Sequence, residues 1–114
     1  MFDRKRYASY ANNTKWAELR QAMLNLYPNA PRFRVKTLNW LAEAQWDWWE
    51  WDGEWYYHFR SDYDWKDMEW VDLKRFSASA TSLDDIEAIC RRIGFEIERP
   101  ADDIVRVIGY RKMS

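Results

Sequence analysis

The sequence predicts an α+β domain, with a mostly antiparallel sheet of about five strands and two helices packed on one face, in the order α-β-β-β-β-α-β. Two amphipathic segments, one near each end of the 114-residue chain, carry apolar residues at helical spacing. The residues between them are rich in strand formers, which the pair Asp52-Gly53 divides into two runs. An apolar content of 47% is enough for a folded core, so residues 1–114 are expected to form a single domain.

The first helix is predicted after a loose lead-in over residues 1–11. Asn13 or Thr14 is expected to cap it, because a short polar side chain can accept a hydrogen bond from a free N–H group at the helix start. Pro28 and Pro31 are expected to end it. The apolar stripe of this helix consists of Trp16, Leu19, Met23 and Leu26.

Strands are expected next. The stretch from Arg32 to Lys36 alternates basic and apolar residues, which predicts a half-buried strand with three bases facing outward. Residues 39–45 fit either a loop or a short helical turn. A further strand is predicted from Met68 to Lys74, followed by a loop from Ser77 to Thr81.

The second helix is predicted from Leu83 to Ile93, with Ser82 as its N-cap and Gly94 as a left-handed C-terminal cap. Residues 95–98 fit either a short strand or an extended link, and Ile104 to Tyr110 is the last predicted strand. The buried stripe of the second helix consists of Leu83, Ile86, Ile89, Cys90 and Ile93.

Eight of the nine tryptophans fall between Trp40 and Trp70, around the Asp52-Gly53 pair. If that pair is a two-residue hairpin turn, directly paired residues share a face of the hairpin. The face predicted to point to the core carries Trp46, Trp48, Glu50, Trp55, Tyr57 and Phe59. The face predicted to point outward carries Asp47, Trp49, Trp51, Glu54, Tyr56 and His58. Contiguous aromatic side chains on an exposed face usually mark an interaction site.

Charge is distributed unevenly along the chain, although the net charge is only −1. Residues 1–42 hold eight bases and two acids (net +6), residues 43–72 hold two bases and ten acids (net −8), and residues 73–114 hold eight bases and seven acids (net +1). A surface built from the middle third would attract a basic partner and repel nucleic acid. Nucleic-acid binding is therefore disfavoured.

No catalytic, metal or cofactor site is predicted. His58, the one histidine, would pair with Asp47 across the hairpin, but no nucleophile lies nearby in sequence. Cys90 is expected to be a small core residue, and one His and one Cys cannot supply a zinc site. The aspartates of the loop 62–67 do not have the spacing of a calcium-binding loop.

A cytoplasmic location is expected. The chain has no apolar run near 18 residues, which excludes a membrane-spanning helix. Its charged beginning lacks the apolar region of a standard signal peptide. One cysteine cannot form an internal disulfide, which indicates a reducing compartment.

Several short motifs carry a resemblance: Asn12–Trp16, the Trp-Asp-Gly-Glu-Trp stretch within Trp51–Phe59, Glu69–Val71, the basic strand Arg32–Lys36 and the closing Ile108–Tyr110. Together they resemble a family of small bacterial proteins of unknown function. The resemblance covers most of residues 12–110. It implies a stand-alone bacterial cytoplasmic domain and brings no established activity or catalytic residues.

These patterns favour a protein-binding inhibitor, such as a bacterial immunity protein or antitoxin that neutralises a basic toxin, for example a nuclease. One alternative is a small enzyme or ligand-binding domain that uses His58 and Asp47 in an aromatic pocket. Another is a homo-oligomeric structural subunit, with a homodimer as the simplest form. The predicted partner-binding residues are Asp47, Trp49, Glu50, Trp51, Asp52, Glu54, Tyr56 and His58.

Overall fold

Two long helices, one short helical turn and two antiparallel sheets form the described part of the chain. The computed structural model describes residues 7–37, 51–59, 65, 68–75 and 80–112. The elements are β1 (Tyr7–Ser9), α1 (Asn13–Leu26), β2 (Arg32–Thr37), α2 (Trp55–His58), β3 (Met68–Lys74), α3 (Leu83–Ile93), β4 (Ile97–Ala101), β5 (Ile104–Ile108) and β6 (Tyr110–Lys112). The predicted α+β class is confirmed.

The main sheet has four antiparallel strands in the order β2-β3-β5-β4. Its register pairs Val71 of β3 with Val35 of β2 and with Val107 of β5. Side chains alternate between the two faces of a strand, so Val71, Leu73 and Val107 share one face and are fully buried. Apolar side chains of α1 and α3 belong to the same core cluster. Both long helices therefore contact this face of the sheet.

The second sheet is a two-stranded ribbon of β1 and β6. Residues 7–9 were predicted as part of a loose lead-in, and this is wrong because they pair with the end of the chain. The predicted last strand is divided at Gly109, where the chain passes from the main sheet into the ribbon. Gly109 N–H donates to the Glu69 carbonyl and Gly109 C=O accepts from Tyr10 N–H, each at 2.8 Å. Among the described residues the main sheet thus has four strands, and the last predicted strand contributes to both sheets.

Capping explains the limits of the two long helices. In α1 the cap is Asn12, not Asn13 or Thr14 as predicted, and its Oδ1 accepts from Lys15 N–H at 2.9 Å. Asn12 has extended backbone angles, as an N-cap requires. The predicted stripe of α1 is confirmed by three fully buried members, Trp16, Leu19 and Met23, while Leu26 is partly buried against the core.

Helix α3 has the predicted limits. Ser82 Oγ accepts from Asp85 N–H at 3.1 Å, which satisfies one free donor of the first turn. Gly94 ends the helix with a φ of 108°, a left-handed conformation in which a side chain is strained. Among the stripe residues, Ile86 and Cys90 are fully buried as expected, while Leu83, Ile89 and Ile93 are partly buried against the core.

The predicted Asp52-Gly53 hairpin is wrong within the described residues. After Gly53 the chain forms the helical turn α2 instead of a returning strand. Asp52 pairs with Phe33 of β2, in an isolated antiparallel bridge. Of the three glycines, all of which are described, Gly94 is the one with positive φ, so Gly53 lacks the conformation that a type I′ turn needs.

Tertiary packing explains this departure from the local turn signal. The Trp55 indole is 1% exposed, and its Nε1–H donates to the Pro31 carbonyl at 2.7 Å. Phe59, four residues later, is 2% exposed, and its ring centroid lies 4.8 Å from that of Trp55. A helical turn makes residues four apart direct neighbours, whereas a strand would place them on the same face but about 13 Å apart along the chain. Both side chains also contact Phe33.

The predicted division of side chains between core and solvent is confirmed in part. Trp55 and Phe59 face the core as expected, although through a helical turn. Trp46, Trp48 and Glu50, also predicted for the core face, lie outside the described residues, as does the Tyr57 side chain.

Ion pairs connect β4 to α3. Arg99 of β4 donates from Nε to Glu87 at 2.7 Å and from Nη2 to Asp84 at 2.9 Å. Arg91, one turn after Glu87, donates to the same carboxylate at 3.0 Å. Hydrogen bonds from Arg91 and Arg99 hold the pKa of Glu87 below its ordinary value. The network stabilises the position of the edge strand against the helix.

Candidate functional site

Residues 51–59 form a turn at the outer edge of β2. Asp52 N–H donates to the Phe33 carbonyl at 2.9 Å, and Phe33 N–H donates to the Asp52 carbonyl at 2.8 Å. The Asp52 carboxylate then accepts from Glu54 N–H at 2.8 Å, which starts the turn into α2. The polar and aromatic side chains that this turn presents are called the acidic knuckle below, and they are Asp52, Glu54, Tyr56 and His58.

Asp52 and His58 close the knuckle. His58 Nδ1 lies 2.7 Å from Asp52 Oδ2, with side-chain exposures of 54% for His58 and 29% for Asp52. The predicted partner of His58 was Asp47, which lies outside the described residues. Asp52 therefore uses one carboxylate oxygen for the backbone of Glu54 and the other for the imidazole. These two contacts hold the ends of the knuckle together.

Arg20 of α1 supports the knuckle from the helix side. Its Nε donates to the Trp55 carbonyl at 3.2 Å and its Nη2 donates to the Tyr56 carbonyl at 2.7 Å. The guanidinium carbon also lies 5.0 Å from the centroid of the Tyr56 ring. Tyr56 remains 57% exposed. The helix thus fixes an exposed aromatic ring, and no signal in the sequence around Arg20 indicated this role.

The structure brings together four of the eight predicted partner-binding residues. Glu54, Tyr56 and His58 are exposed and Asp52 is half-buried, all within the acidic knuckle. Trp51, at the start of the turn, is half-buried. The remaining three, which are Asp47, Trp49 and Glu50, lie outside the described residues.

Trp51 belongs to a row of stacked charged and aromatic side chains on the face of the main sheet opposite the helices. The Arg34 guanidinium carbon lies 4.6 Å from the Trp51 ring centroid, and Lys74 Nζ lies 5.5 Å from it. Farther along the sheet, the Arg106 guanidinium carbon lies 4.1 Å from the Trp70 ring centroid. Cations at these distances are attracted to the ring face. The row, called the outer-face ladder below, consists of Trp51, Arg34, Asp72, Arg106 and Trp70.

Asp72 is the centre of the ladder. Its side chain is fully buried and accepts two hydrogen bonds from Arg106, from Nε at 2.8 Å and from Nη2 at 3.1 Å. Arg34 Nη2 lies 3.6 Å from the same carboxylate. The hydrogen bond to Asp72 raises the pKa of the Arg106 guanidinium above its ordinary value, so the guanidinium is charged at every physiological pH.

Sequence reasoning missed the ladder, although a signal was present. Asp72 alternates with Val71 and Leu73 in β3, which places it on the face opposite the core. The basic strand Arg32–Lys36 was predicted to present bases on such a face. Combining the two patterns would have required the register between β2 and β3, which pairs Arg34 with Asp72.

The other candidate features of the sequence, a reactive cysteine, a metal site and a membrane span, find no support among the described residues. Burial raises the pKa of the Cys90 thiol to about 12, so it is not a nucleophile at neutral pH and serves as the predicted core residue. Within the described ranges no group of three or more His, Cys, Asp or Glu side chains is placed to hold a metal ion. The aspartates of loop 62–67 fall outside those ranges. Among the helices that the structure describes, none is long and apolar enough to cross a membrane.

Comparison with known proteins identifies the family. A protein-family model described as a family of unknown function (DUF6678) matches residues 1–114, so the chain belongs to that family. No curated protein and no solved structure matches the chain.

Proposed function

We propose that this member of the family of unknown function is a bacterial, cytoplasmic, protein-binding inhibitor, an immunity protein or antitoxin that neutralises a basic toxin such as a nuclease. The observation that carries the proposal is the acidic knuckle. It presents two exposed side chains, those of Glu54 and of Tyr56, which is 57% exposed, and both belong to a turn fixed at Asp52 and by Arg20.

Preorganisation supports a binding role for the knuckle. Ordering a mobile side chain or loop on association costs free energy, which a turn already held by hydrogen bonds avoids. Arg20 and the Asp52–His58 pair supply those bonds before any partner arrives. Tyrosine is also among the residue types that dominate binding free energy at interfaces. Tyr56 is therefore the expected anchor of the interface.

The negative charge of this part of the chain supports a positively charged partner. The knuckle lies in residues 43–72, which hold ten acids and two bases. Negative potential accelerates encounter with a positively charged surface and disfavours association with acidic proteins. Nucleases carry basic surfaces that bind phosphates. An acidic inhibitor can occupy such a surface and exclude the nucleic acid.

The proposal predicts separate effects for Tyr56 and Glu54. The candidate toxin is the product of the gene adjacent to the one encoding this chain. The purified toxin is titrated with the purified protein, and the Kd is measured. Tyr56→Ala is expected to raise the Kd about thirtyfold through a loss of roughly 2 kcal/mol at the anchor. Glu54→Lys is expected to slow association and to reduce the dependence of the association rate on salt.

Two variants, one on α1 and one at the residue that follows it, serve as controls. Tyr27 is 69% exposed and Glu18 is exposed, and both lie outside the knuckle. Tyr27→Ala and Glu18→Lys repeat the same chemical changes and are expected to leave the Kd unchanged. Equal losses from the knuckle and control variants would contradict a role for the knuckle, and the absence of binding at low salt would contradict the proposal itself.

A small enzyme is the second candidate, favoured by the 2.7 Å contact between His58 Nδ1 and Asp52 Oδ2. A carboxylate at this distance can orient an imidazole, whose other nitrogen then acts as a general base toward solvent. A screen of the purified protein against ester and phosphodiester substrates tests whether His58 acts as a general base. Enzymatic turnover by the wild type that is lost in both His58→Ala and Asp52→Asn would support it, and an inactive wild type would count against it.

A further inference from the structure

The acidic knuckle and the outer-face ladder are neighbours on one side of the molecule. Asp52 is bonded to the edge of β2, and Trp51, the preceding residue, stacks on Arg34 on the outer face of the same strand. Lys74, across the register from Arg32, approaches the same indole from β3. The two acids of the knuckle therefore adjoin the Arg34 and Lys74 cations, with the half-buried Trp51 between them.

Adjoining patches of opposite sign can be self-complementary. In a two-fold symmetric contact the same surface is used by both copies, so each favourable pair forms twice. With the two-fold axis near Trp51, the Glu54 carboxylate of one copy faces the Lys74 and Arg34 cations of the other. The two Trp51 indoles, each stacked on its own Arg34, then lie near the centre of the contact with the charged pairs around them.

From this arrangement we infer that the knuckle and the adjacent part of the ladder form a homodimer interface, whose occupant is a second copy of this chain. The inference does not depend on the proposed toxin partner, and because both contacts use the knuckle, the dimer would have to dissociate before a toxin binds there. Its two complementary groups are both accessible, since Glu54 is exposed and the Lys74 side chain is 41% exposed. The intramolecular pair of Lys74 with Asp103 is long, at 3.6 Å, and leaves the ammonium able to reach another carboxylate.

The expected dimer is salt-sensitive, because charges at the rim of an interface are screened by ions. Sedimentation equilibrium of the full chain at low ionic strength should show a mass that rises with concentration toward twice the 14.0 kDa of one chain. The same experiment in high salt should show a shift back toward one chain. A mass that stays at one chain at low salt and high concentration overturns the inference, while leaving toxin binding by the knuckle untouched.

A charge-swap experiment tests the pairing of residues. Glu54→Lys alone places two lysines opposite each other twice in the dimer, and Lys74→Glu alone places two glutamates opposite each other twice. Each variant is therefore expected to weaken self-association at least about tenfold. Mixing the two variants restores an opposite-charge pair at both positions of a heterodimer, so association should return in the mixture.

Charge reversals on the two long helices are the controls for this experiment. Glu18→Lys on α1 and Arg92→Glu on α3 change exposed residues outside the proposed interface and should leave the sedimentation profile unchanged. A dimer that is insensitive to both interface variants, or a mixture that fails to associate although each variant is folded by circular dichroism, contradicts the assignment of this surface.

Discussion

Gly109→Ala is expected to lower the free energy of unfolding by about 3 kcal/mol or more, at the upper end of the cost of overpacking a core. A Cβ on this residue would overlap the carbonyl oxygen of Met68 and would lie 2.9 Å from Cζ2 of Trp16. The Met68 oxygen belongs to the backbone of β3, so it cannot rotate away as a flexible side chain would. Urea denaturation measured at constant temperature provides the free energy directly.

Gly53→Ala is the matched control. A Cβ at Gly53 meets only the Arg32 Cγ within the contact limit, at 4.0 Å, and the residue does not have positive φ. The substitution is therefore expected to be neutral, or stabilising by roughly 0.4–1 kcal/mol through a less flexible unfolded chain. A type I′ hairpin turn would instead make alanine costly at this position. A large loss at Gly53, or none at Gly109, would contradict the structure of these two segments.

Asp72→Ala is expected to cost about 3 kcal/mol, because removal of one partner leaves buried charge uncompensated. The carboxylate is fully buried and receives both Arg106 hydrogen bonds, while the Arg106 side chain is 26% exposed and retains some access to water. That access places the expected cost at the lower end of the range for buried pairs. The free energy of unfolding is again measured with urea.

The surface pair of Lys74 with Asp103 is the control for Asp72. The two atoms are 3.6 Å apart, and the Asp103 side chain is 62% exposed. Asp103→Ala is expected to cost less than about 1 kcal/mol, the usual limit for an exposed ion pair. The double variant Asp72→Ala, Arg106→Ala should lose less than the sum of the two single changes, because the two residues act as a unit. If the loss in the double variant equals the sum of the two single losses, Asp72 and Arg106 do not stabilise the fold as a coupled pair.

Elements with local signals were predictable from the sequence. Helix α3 has the predicted limits, because Ser82 and Gly94 satisfy its two ends with groups adjacent in the chain. Strand β3 has the predicted limits of Met68 and Lys74. In each case neighbouring residues supply the pattern and the structure needs no distant partner to select it.

Elements selected by distant contacts were not predictable. The Asp52-Gly53 pair has a strong local preference for a hairpin turn, but burial of Trp55 beneath the Pro31 carbonyl favours a helical turn. Strand β1 depends on its pairing with β6, about a hundred residues away in sequence. The role of Arg20 was not predictable for the same reason, because its contact with the Tyr56 carbonyl forms only when α1 lies beside the knuckle.

Cell survival tests the central claim that the acidic knuckle binds and neutralises a basic toxin. The toxin encoded next to this gene is expressed together with the wild type, with the double variant Glu54→Lys, Tyr56→Ala, or with the double variant Glu18→Lys, Tyr27→Ala. The wild type and the control variant Glu18→Lys, Tyr27→Ala are expected to protect the cells, while the knuckle variant, present at the same level and folded, is expected to fail. Protection by the knuckle variant equal to that of the wild type would contradict the claim.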